Sequence, residues 1–337
     1  MERADGISAP TAADEDPLTS GGNAAAEAGP DGRSWGSERG VSKPAWGRPK
    51  FRARQVAHAS LIAARQPTSR ARMLPSFLIV GQARCGTTSM FDVLEQHPAV
   101  FHSQLPKKEV HYFDMAYGHS LAWYRSHFPL AARARRAVRD LDVAPVAFEA
   151  SPYYMFHPLA PGRIHRDLPG VKLLVMLRDP VERAYSSHAH QTGFGGETEP
   201  FERALELEDS RLEGETERLI AEPDYISFNH RFYAYRTRGQ YIDQLEHLDS
   251  VFGRDRILVI DSGDFFTGPG PVYDEVIQFL GLPHLGQPKF TASNAVPRSP
   301  MSGKVRAELE EHYRPYDERL TAWLGREPSW RRQPVSR

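Results

Sequence analysis

The sequence has 337 residues, is 40% hydrophobic and carries a formal net charge of −1. That is enough apolar material for one large α/β core, and the balanced charge gives no reason to expect nucleic acid as a partner. Cys85 is the single cysteine, which excludes an intrachain disulfide and a cysteine-based metal site, and the 14 histidines show no HExxH-like spacing.

Residues 1–70 are rich in Ala, Gly, Pro, Ser and charge, and contain neither a signal-peptide core nor a membrane-spanning run. They are expected to be a disordered tail, with residues 71–330 forming one folded domain. The Lys and Arg around the short patch Ser60, Leu61 and Ile62 read as part of that solvated tail. The next segment is the most informative one. Phe77, Leu78, Ile79 and Val80 form a buried-strand run, Gly81 ends it, and a helix is expected over 87–96. Gly81 and Gly86 bracket a tight loop whose N–H groups, with the helix N-terminus, make an anion cradle. A Walker A loop carries Lys directly after its second glycine. Here Thr87 and Thr88 follow Gly86, and Arg84 is the cation of the loop. This suits a sulfuryl-bearing phosphate better than a γ-phosphate with Mg²⁺.

The run 107–114 alternates like a strand, which puts Glu109 and His111 on one face with Lys108 beside them. A second buried strand is expected over 171–177. Asp179 is its following N-cap, Pro180 takes the first helical position and Glu182 completes a capping-box pattern. Arg178 then lies at the carboxyl end of a strand, the edge where open parallel sheets bind ligands, and Ser186 can reach the same place. Two separated anion sites imply a ligand with two anionic groups. Residues 195–224 are acidic, with helical stretches around 204–212, and read as an acceptor-facing lid or variable insert, or equally as a plain solvated helix. A strand over 256–260, a helix over 272–280 closed by Gly281 and a terminal helix over 301–324 complete a P-loop-like α/β fold with a central parallel sheet flanked by helices.

The loop 82–89, KKEVHYFD at 107–114, WYRSHFP at 123–129, FEASPYY at 148–154 and RDPVERAYS at 178–186 resemble, in order, sulfotransferases of the heparan sulfate (N- and 3-O-) type and their bacterial relatives. The resemblance spans residues 75–330. It implies 3′-phosphoadenosine 5′-phosphosulfate as donor. Arg84, Cys85, Gly86, Thr87 and Thr88 would hold the 5′-phosphosulfate, and Arg178 and Ser186 the 3′-phosphate. Arg298, in the loop 294–300, would close over the nucleotide, and Tyr241 matches a residue near the nucleoside. Glu109 is the expected base, by the alternation and by the family's placement of its base, with His111 as the competing base and Arg84 stabilising the leaving group. Lys108, Glu149 and Ser151 are the expected acceptor contacts; Glu149 reads equally well as a strand-end carboxylate paired with an Arg.

The family's loop often carries Lys where Arg84 stands, and FEASPYY often carries Lys where Ala150 stands. The second departure argues against a heavily sulfated glycan acceptor. The expected activity is sulfuryl transfer to a hydroxyl of a carbohydrate or glycosylated metabolite, without a metal. The alternatives are a P-loop phosphotransferase, for which Asp261 is the one aspartate ending an apolar strand, and a non-catalytic nucleotide-binding protein. The absence of an export or anchoring segment points to the cytoplasm, and the Ala, Arg, Gly and Pro content to a GC-rich bacterial source.

Overall fold

The computed structural model describes residues 49–290 and 300–332. Five strands, β1 (Phe77–Gly81), β2 (Val100–His102), β3 (Val146–Ala150), β4 (Lys172–Leu177) and β5 (Ile257–Asp261), form one sheet in the order β2-β3-β1-β4-β5. Every pairing is parallel. Strand alternation divides the core between the two faces. Leu78, Val80, Leu173, Val175 and Val259 pack under the helices Ala160–Asp167 and Tyr241–Phe252. Phe77, Ile79, Leu174, Met176 and Ile260 pack under Thr87–Leu94 and Pro269–Leu280. The carboxyl ends of β3, β1 and β4 lie side by side, so the segments that leave them share one rim.

The expected elements appear at their places with small shifts at the ends. The first helix runs Thr87–Leu94, and the helix after β4 runs Pro180–Gly193. Its Asp179 cap accepts from the amides of Val181 at 2.9 Å and Glu182 at 3.4 Å. Gly281 closes Pro269–Leu280 in the left-handed conformation at φ 72°, and the terminal helix spans Gly303–Leu324.

Two expectations need correction. Residues 49–70, read as part of the tail, lie in a helix (Pro49–Arg65) and a 3₁₀ turn (Gln66–Ala71). Ile62 inserts into the core while Arg65 donates to Gln104 Oε1 and the Phe128 carbonyl, both at 2.7 Å. Among the described side chains of the segment, buried Ile62 and these polar contacts dock a stretch whose average composition looks solvated. The alternating run 107–114 is not a strand. It is a loop in which Glu109 (φ 61°) and His111 (φ 54°) are both left-handed, followed by a short helix, Tyr112–Met115. For non-glycine residues such a backbone costs about 1–2 kcal/mol each, so tertiary contacts must hold it.

His127 is fully buried; its Nδ1–H donates to the carbonyls of Trp123 (3.0 Å) and Tyr124 (3.1 Å), and Nε2 has no partner among the described residues. Burial, with His58 nearby, pushes its pKa down to about 3. The folded state therefore keeps His127 neutral where the unfolded chain takes up a proton, below about pH 6.5, so stability from this group is lost as pH falls through that value. Replacing His127 with the non-titrating Gln is expected to reduce the loss of unfolding free energy between pH 7 and 5.5 by about 1 kcal/mol. Denaturant titrations at the two pH values check this; equal losses in both proteins contradict it.

Candidate active site

The loop after β1 is pinned from both ends. The Gln82 amide donates to the Met176 carbonyl of β4 at 2.7 Å, and the Cys85 amide to Gln82 O at 3.1 Å. Arg84 (φ 70°) and Gly86 (φ 84°) are left-handed, and Gly86 is the N-cap of Thr87–Leu94. A Cβ on Gly86 would lie 3.0 Å from the Phe266 ring, so both conformation and space call for glycine. Thr87 is buried and Thr88 exposed at the start of the helix. Arg84 Nε donates to Ser186 Oγ at 3.1 Å, which joins the loop cation to the helix after β4. Cys85 is fully buried behind the loop. Burial raises its thiol pKa, so it is a poor nucleophile; its amide donates to Gln82 O and its carbonyl accepts from the Ser262 hydroxyl, so its backbone holds the shape of the loop.

Opposite the loop stands the 107–111 segment. Lys108 Nζ donates to Thr88 Oγ1 at 2.7 Å and lies 3.5 Å from Glu109 Oε1. His111 Nδ1 meets Asp114 Oδ2 at 2.7 Å. Its Nε2 faces both Arg231 Nη2 (3.0 Å) and Glu109 Oε2 (3.4 Å). When neutral at Nε2 it accepts from Arg231; when protonated it donates to Glu109. Burial opposes ionisation of Glu109, but Lys108, His111 and Arg231 outweigh it and hold this carboxyl below its ordinary pKa. Burial and Arg231 likewise oppose charging His111, and Asp114 together with Glu109 outweighs them, so the imidazole sits above its ordinary value. Glu109 and His111 thus face one another as the alternation implied, by way of two left-handed residues instead of a strand.

These groups border a single cleft of about 120 Å³ whose wall includes Arg84, Thr87, Thr88, Lys108, Glu109 and His111. Tyr153, His190, Arg231 and Arg238 also line it. Burial, with Arg84 next in importance, pushes His190 down to about 4. Burial beside Arg183 lowers Arg238, whose Nε donates to Gln82 Oε1 at 3.2 Å. Asp114, Arg231 and Arg238 escape the sequence reading. Asp114 lies three residues past His111 on the quoted motif. The two arginines come from the unmarked stretch NHRFYAYRTRG, and only their spacing among aromatics hinted at burial.

Other expected residues stand elsewhere. Glu149 and Ser151 are fully buried and do not line the cleft, which corrects their assignment as acceptor contacts. The partners of Glu149 are hydroxyls and an amide, which also corrects the alternative pairing with an Arg. Arg178 follows β4 but is not in the cleft wall; its guanidinium lies 3.8 Å from Glu182. Tyr241 is a core residue whose hydroxyl donates to the Arg178 carbonyl at 2.9 Å. Asp261 caps the helix Ser262–Thr267 and accepts from Ser329 N and Oγ at 2.6 and 2.7 Å. Arg298 lies outside the described residues. The acidic insert forms helices Phe201–Leu212 and Glu215–Ala221, and instead of covering this cleft it walls a neighbouring one of about 510 Å³ through Asp209, Glu213 and Glu217. Among the described residues no cluster of three or more His, Cys, Asp or Glu is arranged for a metal ion, and no helix is long and apolar enough to cross a membrane.

An anion cradle at the carboxyl rim of a parallel sheet, faced by an ionised carboxylate, defines a group-transfer site of the P-loop-like class. Residues 74–294 match the family model described as the sulfotransferase domain, and the chain belongs to that family. The membrane-associated sulfotransferase kil1 of Dictyostelium discoideum is 24% identical over 323 residues, covering 76% of this chain and 66% of its own. Mouse bifunctional heparan sulfate N-deacetylase/N-sulfotransferase 4 is 28% identical over 296 residues, covering 78% of this chain and 32% of its own. Human heparan sulfate glucosamine 3-O-sulfotransferase 5 is 28% identical over 218 residues, covering 63% and 55%. The chain therefore spans from 32% to 66% of the length of these curated relatives. The crystal structure of a sulfotransferase from Alicyclobacillus acidocaldarius superposes with a TM-score of 0.59 at 29% identity, covering 77% of this chain and 99% of the other. The chain thus carries the family's domain on a fold that it shares with that structure.

Proposed function

We propose that the protein moves a sulfuryl group from 3′-phosphoadenosine 5′-phosphosulfate to an acceptor hydroxyl, with Glu109 as the base. The observation that carries the reading is Lys108, which touches Thr88 of the anion cradle and lies 3.5 Å from the Glu109 carboxylate. A cradle alone would describe a binder; a carboxylate kept ionised beside it adds nothing to holding a polyanion and suits taking a proton from the acceptor. In the transfer, the acceptor oxygen forms a bond to sulfur as the bond from sulfur to the bridging phosphate oxygen breaks. The acceptor proton passes to Glu109, and 3′-phosphoadenosine 5′-phosphate leaves. Such transfers have loose, in-line transition states, so positioning and charge stabilisation dominate. The loop amides, Arg84 and Lys108 meet the charge that grows on the bridging oxygen.

The 3′-phosphate is assigned to Arg178 and Ser186, and the 5′-phosphosulfate to residues 84–88, with Cys85 holding the loop through its backbone bonds to Gln82 and Ser262. Arg178 must then exchange its contact with Glu182 for the phosphate. Relatives named for heparan sulfate support a carbohydrate or glycosylated metabolite as the acceptor, while Ala150 speaks against a densely sulfated one.

Incubation with labelled donor and a panel of glycosides, phenols and amines, in excess chelator, is expected to give a sulfonate mass gain on at least one acceptor. Activity lost with chelator and restored by Mg²⁺ would favour the phosphotransferase alternative instead, and donor-product binding with no transfer across the panel would favour the binder. The donor assignment has its own test by calorimetry. The 3′,5′-bisphosphate should bind at least about tenfold more tightly than adenosine 5′-phosphosulfate, since each charged hydrogen bond contributes about 1.5–3 kcal/mol. Arg178→Ala should erase that preference, and equal affinities in the unaltered protein would remove Arg178 and Ser186 from the site.

A further inference from the structure

We propose that Glu149 is the positioning residue of this site: its buried carboxylate heads a hydrogen-bonded clamp that fixes the backbone of residues 109–112 and so turns Glu109 and His111 together toward the cleft. The inference rests on the reading of Glu109 as the base and extends it to the group that sets its geometry.

Four consecutive amides of the loop are captured by β3 and the turn that follows it. Glu109 N donates to Ala150 O at 3.1 Å and Val110 N to Glu149 Oε2 at 3.3 Å. His111 N donates to Ser151 Oγ at 3.2 Å, and Tyr112 N to Tyr154 Oη at 2.9 Å. Both hydroxyls then donate onward to Glu149, Ser151 to Oε2 at 2.6 Å and Tyr154 to Oε1 at 2.7 Å, and the Tyr124 hydroxyl adds a further bond to Oε1 at 3.2 Å. The carboxylate thereby takes two donors on each oxygen, its full acceptor capacity. Because the Ser151 and Tyr154 protons are drawn to Glu149, their lone pairs remain for the amides of His111 and Tyr112.

The chemistry calls for a carboxylate at this position. An amide would present an N–H to groups that are themselves donors, and a hydrophobic side chain would leave the hydroxyls and the Val110 amide unsatisfied in the interior. The clamp acts where the backbone most needs it, since Glu109 and His111 are two of the four left-handed non-glycine residues among those described. Glu149 does not border the cleft, so its effect on the reaction passes through the loop.

The test reads the loop without donor or acceptor, so it stands or falls separately from the sulfuryl-transfer reading. His111 faces Asp114 from the helix Tyr112–Met115, Arg231 from the helix Phe228–Phe232 and Glu109 from its own loop, and this setting holds its titration above the ordinary value. The full chain with isotope-labelled histidine is titrated by NMR, with the His111 signal assigned from its loss in His111→Gln. Glu149→Gln and Ser151→Ala should each move the His111 midpoint down by about half a pH unit or more, toward 6.5, as the ring leaves its partners. Ser126→Ala, which removes another buried serine hydroxyl bonded to Ala122 O, should leave the midpoint in place. If Glu149→Gln fails to fold, Ser151→Ala decides. A Ser151→Ala protein that melts cooperatively and titrates like the unaltered chain overturns the clamp, as does an equal shift in Ser126→Ala.

Discussion

A buried carboxylate held below its ordinary pKa in the wall of a cleft rich in basic side chains is the feature around which this site is arranged. Two like charges about 5 Å apart in a partly buried setting repel by about 3 kcal/mol at an effective dielectric near 20. Left alone, Glu109 would take up a proton or weaken binding of an anion in the cradle. Lys108, His111 and Arg231 surround it with positive charge, and Asp114 balances the imidazole from behind. The cost of burying so many charges is met by pairing them, since each of these groups has a partner within hydrogen-bond or ion-pair reach. The backbone serves the same arrangement, since two left-handed residues between the sheet edge and the helix carry Glu109 and His111 to Lys108 and Arg231.

The scaffold meets this demand by bringing distant parts of the chain to one rim. The cradle leaves β1, the loop rests on the end of β3, and the helix after β4 supplies Ser186 to Arg84. Arg231 reaches His111 across 120 residues of sequence. Only the parallel order β3-β1-β4, with every carboxyl end on the same side, makes these segments neighbours.

Features written in short-range pattern were legible in the sequence. β1, β4 and β5, the glycine-bounded loop, the Asp179 cap and the Gly281 stop each follow from apolar runs or capping chemistry within a few residues. The nearness of Glu109 to His111 was also readable within a few residues, although the strand expected to bring the pair together is a loop. The left-handed backbone was not legible, because the bonds that hold it come from β3 and the alternation of buried Val110 and Tyr112 imitates a strand. Arg231 and Arg238 carry no motif of their own. Glu149 was misread because a carboxylate satisfied by serine and tyrosine hydroxyls leaves no charged partner to look for, and the docked helix Pro49–Arg65 was hidden by averaging composition over a long segment.

The central claim is that Glu109 works as a base and not as a binding charge. A base contributes in the transition state, so Glu109→Gln, which keeps the shape and cannot accept the proton, separates the two roles. Steady-state turnover on the acceptor found by mass gain, paired with calorimetry of 3′-phosphoadenosine 5′-phosphate, is the direct measurement. The account requires kcat to fall by about 10² to 10⁴ while the nucleotide affinity stays within about threefold. Near-normal turnover in Glu109→Gln, with turnover abolished in a folded His111→Ala protein, would contradict it and make the imidazole the base.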